Sequence, residues 1–207
     1  MDGIILDVDG TLWDYTDSAA EAWNQAIREN SDLNLHITGA KLKKLFGKTM
    51  DEIYSELLPE LPREEQYRLG KLCYEYEDRM LAATPGIPYD KVPETIHLLS
   101  QKIDFFIVSN CQCGYIENFM KATGLTPYIK DHLCFGETQV SKGQTILQLM
   151  KRNKLESPVY VGDTIGDYNA CKEAGIPFIF AEYGFGSVPQ AEKKISRFED
   201  IQQVLGL

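Results

Sequence analysis

The chain has 207 residues, 43% hydrophobic and 25% charged, a composition that excludes disordered and fibrous proteins and suffices for one domain with an insert. Its formal net charge of −10 disfavours nucleic acid as a partner. No apolar stretch approaches the roughly 20 residues of a membrane span, no secretory leader fits, and five scattered cysteines indicate a reducing compartment, so we expect a cytoplasmic protein with no membrane partner.

Short apolar runs followed by polar residues or glycine predict β-strands at residues 4–8, 105–108, 133–135, 159–161 and 178–180. Helical spacing lies between them, as in Ile116, Phe119 and Met120, and Ser141 is placed to cap a helix. A further helix is expected at residues 168–174, closed by Gly175. Strands that alternate with helices predict an α/β fold with a Rossmann-like parallel sheet.

The segment from residue 16 to residue 85 differs from the rest. Residues 19–27, 42–46, 53–58 and 67–80 have helical patterns, and a capping box precedes the third of them. No strand pattern interrupts the segment, and proline and glycine break the chain at residues 84–88. We therefore predict a core of residues 1–15 and 86–207, with residues 16–85 inserted as an all-helical cap.

Polar side chains at the ends of the predicted strands are the most informative feature, because ligands of open parallel sheets bind at the carboxyl ends of strands. The segments are Asp7-Val8-Asp9-Gly10-Thr11, Ser109-Asn110, Lys142, and Gly162-Asp163-Thr164-Ile165-Gly166-Asp167. Each alone has a structural explanation as a turn, a helix cap or a solvated lysine.

The charges of these segments are compatible with a phosphate ester only if cations offset the carboxylates. Two unit charges about 4 Å apart repel by roughly 4 kcal/mol at an effective dielectric near 20. A site that holds Asp7, Asp9, Asp163 and Asp167 would therefore repel the substrate unless a divalent cation and Lys142 are present. Hard oxygen ligands favour Mg²⁺.

In this order and spacing the four segments resemble the motifs of the haloacid dehalogenase superfamily, and the resemblance covers the whole chain. The helical insert stands where these proteins carry a helical cap, as in the branch of phosphoglycolate phosphatase and β-phosphoglucomutase. The resemblance implies a Mg²⁺-dependent phosphatase that acts on a small phosphorylated metabolite. Asp7 matches the nucleophile, Asp9 the general acid and base, and Lys142 the lysine of the third motif.

The resemblance also implies binding roles. For phosphate and substrate the matching residues are Gly10, Ser109, Asn110 and, in the cap, Lys48. For the metal they are Asp7, Asp9 through its backbone carbonyl, and Asp163, with Asp167 supporting the metal water or the lysine.

Two alternatives stay open at this point. A phosphomutase of the β-phosphoglucomutase type carries the same pair of aspartates, although the arginine and hexose-contacting pattern expected near Lys48 is absent. Tyr183-Gly184-Phe185-Gly186 resembles a segment of phosphoglycolate-phosphatase-like members and favours hydrolysis. The other alternative is a phospho-ligand-binding protein without catalysis, against which the complete acidic set argues. Halide displacement, the reaction of the dehalogenases in this superfamily, would not need Asp9, so the presence of Asp9 argues against that reaction.

Overall fold

The computed structural model describes residues 1–84 and 86–207. Its centre is a six-stranded sheet of order β3-β2-β1-β4-β5-β6, in which every neighbouring pair is parallel. The strands are β1 (Ile4–Leu6), β2 (Phe105–Ser109), β3 (Ile129–Cys134), β4 (Val159–Gly162), β5 (Phe178–Ala181) and β6 (Lys193–Ile195). The predicted fold class, α/β with a Rossmann-like parallel sheet, is confirmed.

Helices connect the strands and cover the sheet. They are α1 (Thr16–Asn30), α2 (Gly39–Leu42), α3 (Met50–Leu57), α4 (Arg63–Ala83), α5 (Val92–Leu99), α6 (Tyr115–Thr123), α7 (Phe135–Thr138), α8 (Lys142–Asn153), α9 (Ile165–Ala174) and α10 (Ile201–Leu205). Two short 3₁₀ helices occupy Thr126–Tyr128 and Phe198–Asp200. Within the described residues, none of the helices is both long and apolar enough to cross a membrane.

Both faces of the sheet are buried, which explains the continuous apolar runs of the central strands. Ile4 and Leu6 of β1 pack in one core cluster, whereas Ile5 packs in a second cluster on the other face. All three side chains are fully buried. Successive side chains of a strand point to opposite faces of the sheet, so the strand contributes to two buried cores rather than to one core and one solvent-exposed face.

The sequence-based prediction of strands was wrong mainly at the two edge strands, although β1 also ends at Leu6 instead of residue 8. β3 begins at Ile129 instead of residue 133, and Phe135 starts α7 instead of ending the strand. β6 (Lys193–Ile195) was not predicted at all. Edge strands carry polar residues on their exposed face, such as Lys130 and Lys193, and so lack the apolar run that marks a buried strand.

Four helices, α1 to α4, lie between β1 and residue 84, and that described stretch contains no strand. The capping box before α3 is confirmed: Glu52 accepts from Thr49 N at 2.8 Å. The prediction of a helix over residues 42–46 was wrong: α2 ends at Leu42, and turns lead from there to Gly47, which has a φ of 91°. Pro85, predicted to end the cap, lies outside the described residues. The division into a core of residues 1–15 and 86–207 and a cap of residues 16–85 stays a prediction.

Candidate active site

The centre of the candidate site lies at the carboxyl ends of β1 and β4, which are neighbours in the sheet. Leu6 is in register with Val161, and Asp7 N donates to Val161 O at 2.9 Å. Asp7 and Asp163 thus follow adjacent strands at the same edge. Their side chains are almost completely buried, with residue exposures of 1% and 0%.

Lys142 links two of the predicted acidic residues. Ser141 caps α8 by accepting from Gln144 N, as predicted, and this places Lys142 in the first turn. Its Nζ lies 2.9 Å from Asp7 Oδ1 and 2.6 Å from Asp167 Oδ1. Burial lowers the pKa of Lys142, but the negative charges of Asp167 and Asp7 outweigh burial and hold that pKa well above its usual range. Lys142 is therefore a permanent cation in a buried site, not a solvated surface lysine.

Asp167 is fixed at both of its carboxyl oxygens. Oδ1 accepts from Lys142, while Oδ2 accepts from Thr164 N at 2.9 Å and Thr164 Oγ1 at 2.6 Å. The bond from Thr164 N, together with one from Asp167 N to Thr164 Oγ1 at 3.2 Å, forms the capping box at the start of α9, so local helix formation itself orients the carboxylate. Such a doubly held group fits the predicted supporting role better than that of a reacting group.

Asp163 sits in a cradle made by glycines and backbone amides. Phe185 N donates to its Oδ2 at 2.7 Å, and a Cβ at Gly184 would lie 2.3 Å from the Asp163 Cβ. Gly10 has φ +81°, and a Cβ there would lie 2.1 Å from Asp163 Oδ2. The glycine after Asp9 is thus required by Asp163. Its predicted contact with phosphate stays a prediction.

Three of the acidic groups fit a hard divalent cation. One carboxyl oxygen each from Asp7, Asp163 and Asp167 lies within 4.8 Å of the others, and all three residues are buried. Three carboxylates face the single charge of Lys142, which leaves the cluster negative if all are ionised. Oxygen donors of this kind suit Mg²⁺. The cluster does not include the Asp9 side chain, and the predicted ligation by the Asp9 backbone carbonyl stays a prediction.

Asp9 has a different environment from Asp7, although only one residue separates them. Its Oδ1 accepts from Tyr115 OH at 2.7 Å and from Trp13 Nε1 at 3.2 Å. Burial raises the pKa of Asp9 to about 7, against the lowering effect of the Tyr115 hydrogen bond. Burial also raises the pKa of Asp7, to about 6, against the charge of Lys142. Asp9 can thus hold or release a proton near neutral pH, as a general acid and base must.

Trp13 and Tyr115 are site residues that sequence reasoning missed. Trp13 follows Asp9 by four residues, and its backbone pairs with that of Asp9 through an isolated bridge, but no motif marks it. Tyr115 begins α6, 106 positions from Asp9, and both of these aromatic side chains are fully buried. Periodicity assigns such residues to the core, and only their polar atoms reveal the second role.

The remaining predicted residues line a cleft between the strand ends and the helical segment. Ser109 is buried there beside Asp7 and Asp9. Asn110 Nδ2 donates to Gly47 O at 2.9 Å, and this bond connects the end of β2 to the loop after α2. Lys48 lines the cleft, but its ammonium group forms an ion pair with the Glu56 carboxylate. Predicted substrate contacts by these groups stay predictions.

The chain that carries these aspartates at its strand ends and this buried lysine matches a known family. The family model of haloacid dehalogenase-like hydrolases matches residues 4–181, and the chain belongs to that family. The predicted family and the predicted enzyme class are therefore confirmed.

Relatives and solved structures agree with this assignment. Phosphoglycolate phosphatase of Salmonella typhimurium is 22% identical over 99% of this chain and 92% of its own length. A structure of a predicted phosphoglycolate phosphatase from Haemophilus somnus superposes with a TM-score of 0.86 at 20% identity, covering 99% of this chain and 98% of the other. CbbY from Rhodobacter sphaeroides, in complex with phosphate, gives a TM-score of 0.81 at 15% identity with full coverage of both chains. At these identities the two structures establish the fold.

Proposed function

We propose that the protein is a Mg²⁺-dependent phosphatase that hydrolyses a small phosphomonoester through an aspartyl-phosphate on Asp7. The observation that carries this proposal is the contrast between two neighbouring carboxyl groups. Asp7 is held by the Lys142 ammonium group at 2.9 Å, whereas Asp9 accepts from the uncharged Tyr115 hydroxyl at 2.7 Å. One group suits a nucleophile, and the other suits proton transfer.

The reaction follows from these positions. The Asp7 carboxylate forms a bond to phosphorus while the bond from phosphorus to the leaving oxygen breaks, and Asp9 gives its proton to that oxygen. A water molecule then attacks the phosphorus of the aspartyl-phosphate, Asp9 takes the proton of the water, and inorganic phosphate leaves Asp7. Lys142 stabilises negative charge at Asp7 and at the transferring phosphoryl group.

Bound Mg²⁺ would supply positive charge against the phosphoryl oxygens. The residues that would hold it are Asp7, Asp163 and the backbone carbonyl of Asp9, with Asp167 orienting Lys142 or a water molecule. Ser109 and Asn110, which line the cleft beside Asp7, can donate hydrogen bonds to phosphate.

Hydrolysis is favoured over mutase chemistry by the segment Tyr183-Gly184-Phe185-Gly186. This segment resembles that of phosphoglycolate-phosphatase-like members, and here Phe185 N fixes Asp163 at 2.7 Å. The four curated relatives at comparable similarity are phosphoglycolate phosphatases. We transfer from them the hydrolysis of a phosphomonoester, not the identity of the leaving group.

The decisive experiment is rapid-quench detection of the phosphoenzyme with p-nitrophenyl phosphate and Mg²⁺. Wild-type protein should form an acid-stable, hydroxylamine-sensitive phosphoryl adduct, and mass spectrometry should locate it on Asp7. Asp7→Asn should form none, while Asp17→Asn, a change on α1 outside the cleft, should behave as wild type. Absence of turnover across a panel of phosphate esters would instead favour a phospho-ligand-binding protein.

A further inference from the structure

A third carboxyl group faces the cleft, and the proposed reaction does not use it. Glu77 lies on α4, in the helical segment, and is only 1% exposed. It lines the same cleft as Asp9 and Ser109, opposite the strand ends. Its position is therefore that of a group facing the part of a substrate beyond the phosphate.

Glu77 interrupts an apolar stripe of α4. Leu69, Cys73 and Leu81 recur at intervals that include position 77, and all of them are buried. The four-residue spacing would accept an aliphatic side chain at this position. Burial of a carboxyl group is unfavourable unless it is paired or hydrogen-bonded, so packing alone does not explain the residue.

The surroundings of Glu77 provide one hydrogen bond and no cation. Trp23 Nε1 donates to Oε2 at 2.8 Å, and the ion pairs of the described residues do not include Glu77. Burial, and to a lesser extent the charges of Asp9 and Asp78, hold the pKa of Glu77 well above its usual range. Burial thus favours the neutral form of the Glu77 carboxyl group. Because Oε2 accepts from Trp23, Oε1 is the oxygen left to form a hydrogen bond with a ligand.

Among the described residues that line this cleft, the cation is Lys48, and it is already paired. Lys142 binds Asp7 and Asp167, and the ammonium group of Lys48 is held by the Glu56 carboxylate. A leaving group with its own carboxylate would enter a cleft that already holds the carboxyl groups of Asp7 and Asp9, with no uncommitted cation from these two lysines. A leaving group with hydroxyls would be neutral and could form hydrogen bonds with the carboxyl group of Glu77.

We propose that Glu77 determines the specificity of the cleft: its Oε1 hydrogen-bonds a hydroxyl group of a small polyol monophosphate, and the cleft disfavours leaving groups that carry a carboxylate. The proposal rests on the phosphatase function argued above. It names the substrate class, in which the phosphate lies at Asp7 and the hydroxyl-bearing carbon chain extends toward α4.

The test measures kcat/KM with Mg²⁺ for glycerol 1-phosphate, 2-phosphoglycolate and p-nitrophenyl phosphate, which carry hydroxyls, a carboxylate and neither group. Glu77→Met removes the hydrogen bond at similar volume, and Glu77→Gln keeps a donor. Asp78→Asn changes the adjacent carboxyl on the same helix as the matched control. The readout is the ratio of kcat/KM for glycerol 1-phosphate to that for p-nitrophenyl phosphate, because a ratio does not depend on the folded fraction of a variant.

We expect wild-type protein to prefer glycerol 1-phosphate over 2-phosphoglycolate by about tenfold or more, and Glu77→Met to lower the ratio about tenfold. Glu77→Gln and Asp78→Asn should keep it within about threefold. An unchanged ratio in Glu77→Met, or a wild-type preference for 2-phosphoglycolate, would overturn the inference. Failure of wild-type protein to hydrolyse any of the three esters would instead overturn the proposed phosphatase function.

Discussion

Replacing Lys142 with methionine tests the electrostatics of the site most directly. The side chain is 4% exposed, and its Nζ lies 2.9 Å from Asp7 and 2.6 Å from Asp167. Methionine fills a similar volume and leaves both carboxylates without their cation. Breaking a buried pair in this way costs about 3–5 kcal/mol of unfolding free energy. Loss of one contact to transition-state charge should lower kcat by about 10²-fold or more.

The stability loss should depend on pH in a defined direction. Burial already raises the pKa of Asp7 to about 6, and removal of Lys142 raises it further. A carboxyl whose folded pKa lies above its unfolded value contributes full stability below the unfolded pKa, near 3.8, and loses it as pH rises through the folded pKa. Lys142→Met should thus be mildly destabilised at pH 5 and strongly destabilised at pH 8.

Urea unfolding in EDTA at both pH values, together with turnover of p-nitrophenyl phosphate with Mg²⁺, provides the assay. Lys151→Met, at an exposed position of the same helix, is the control. Adding Asp167→Asn to Lys142→Met should recover stability by removing one uncompensated charge, yet activity should stay low. Equal stability of Lys142→Met and wild type at pH 8, or turnover within about threefold of wild type, would refute the reasoning.

Three further predictions concern the metal, the acid and the thiols. EDTA should abolish turnover, Mg²⁺ should restore it and Ca²⁺ should restore it poorly, whereas full activity in EDTA would contradict the metal assignment. Because carboxyl groups with a raised pKa are neutral in acid and bind Mg²⁺ weakly there, Mg²⁺ should raise Tm more at pH 8 than at pH 5. Asp9→Asn should slow phosphorylation by an alkyl phosphate by roughly 10²–10⁴-fold, yet give a burst of nitrophenol from p-nitrophenyl phosphate; rapid-quench kinetics that show equal slowing for both esters would exclude Asp9 as the acid. Iodoacetamide should label exposed Cys113 before Cys111, because Cys111 is buried and burial raises the pKa of its thiol. Peptide mapping checks the order of labelling, and labelling of Cys111 first would show that the loop after β2 opens.

The sequence by itself determined the sheet-centred fold class and brought the main site residues to attention. Continuous apolar runs identify the central strands because both faces of a parallel sheet are buried, and polar residues at their ends then stand out. Local rules also sufficed for Ser141 as the cap of α8 and for Thr49 and Glu52 as a capping box. These features depend on residues a few positions apart, which a sequence shows directly.

Only the tertiary structure decided which partners surround each candidate site residue. Asp7 and Asp9 look alike in sequence, but the folded chain gives Lys142 to the first and Tyr115, 106 positions away, to the second. Glu77 looks like one more acidic residue of a polar helix until packing against the core buries it at the cleft. The physical reason is common to all of them: the pKa and reactivity of a carboxyl group depend on burial and on partners distant in sequence, and no local pattern encodes either.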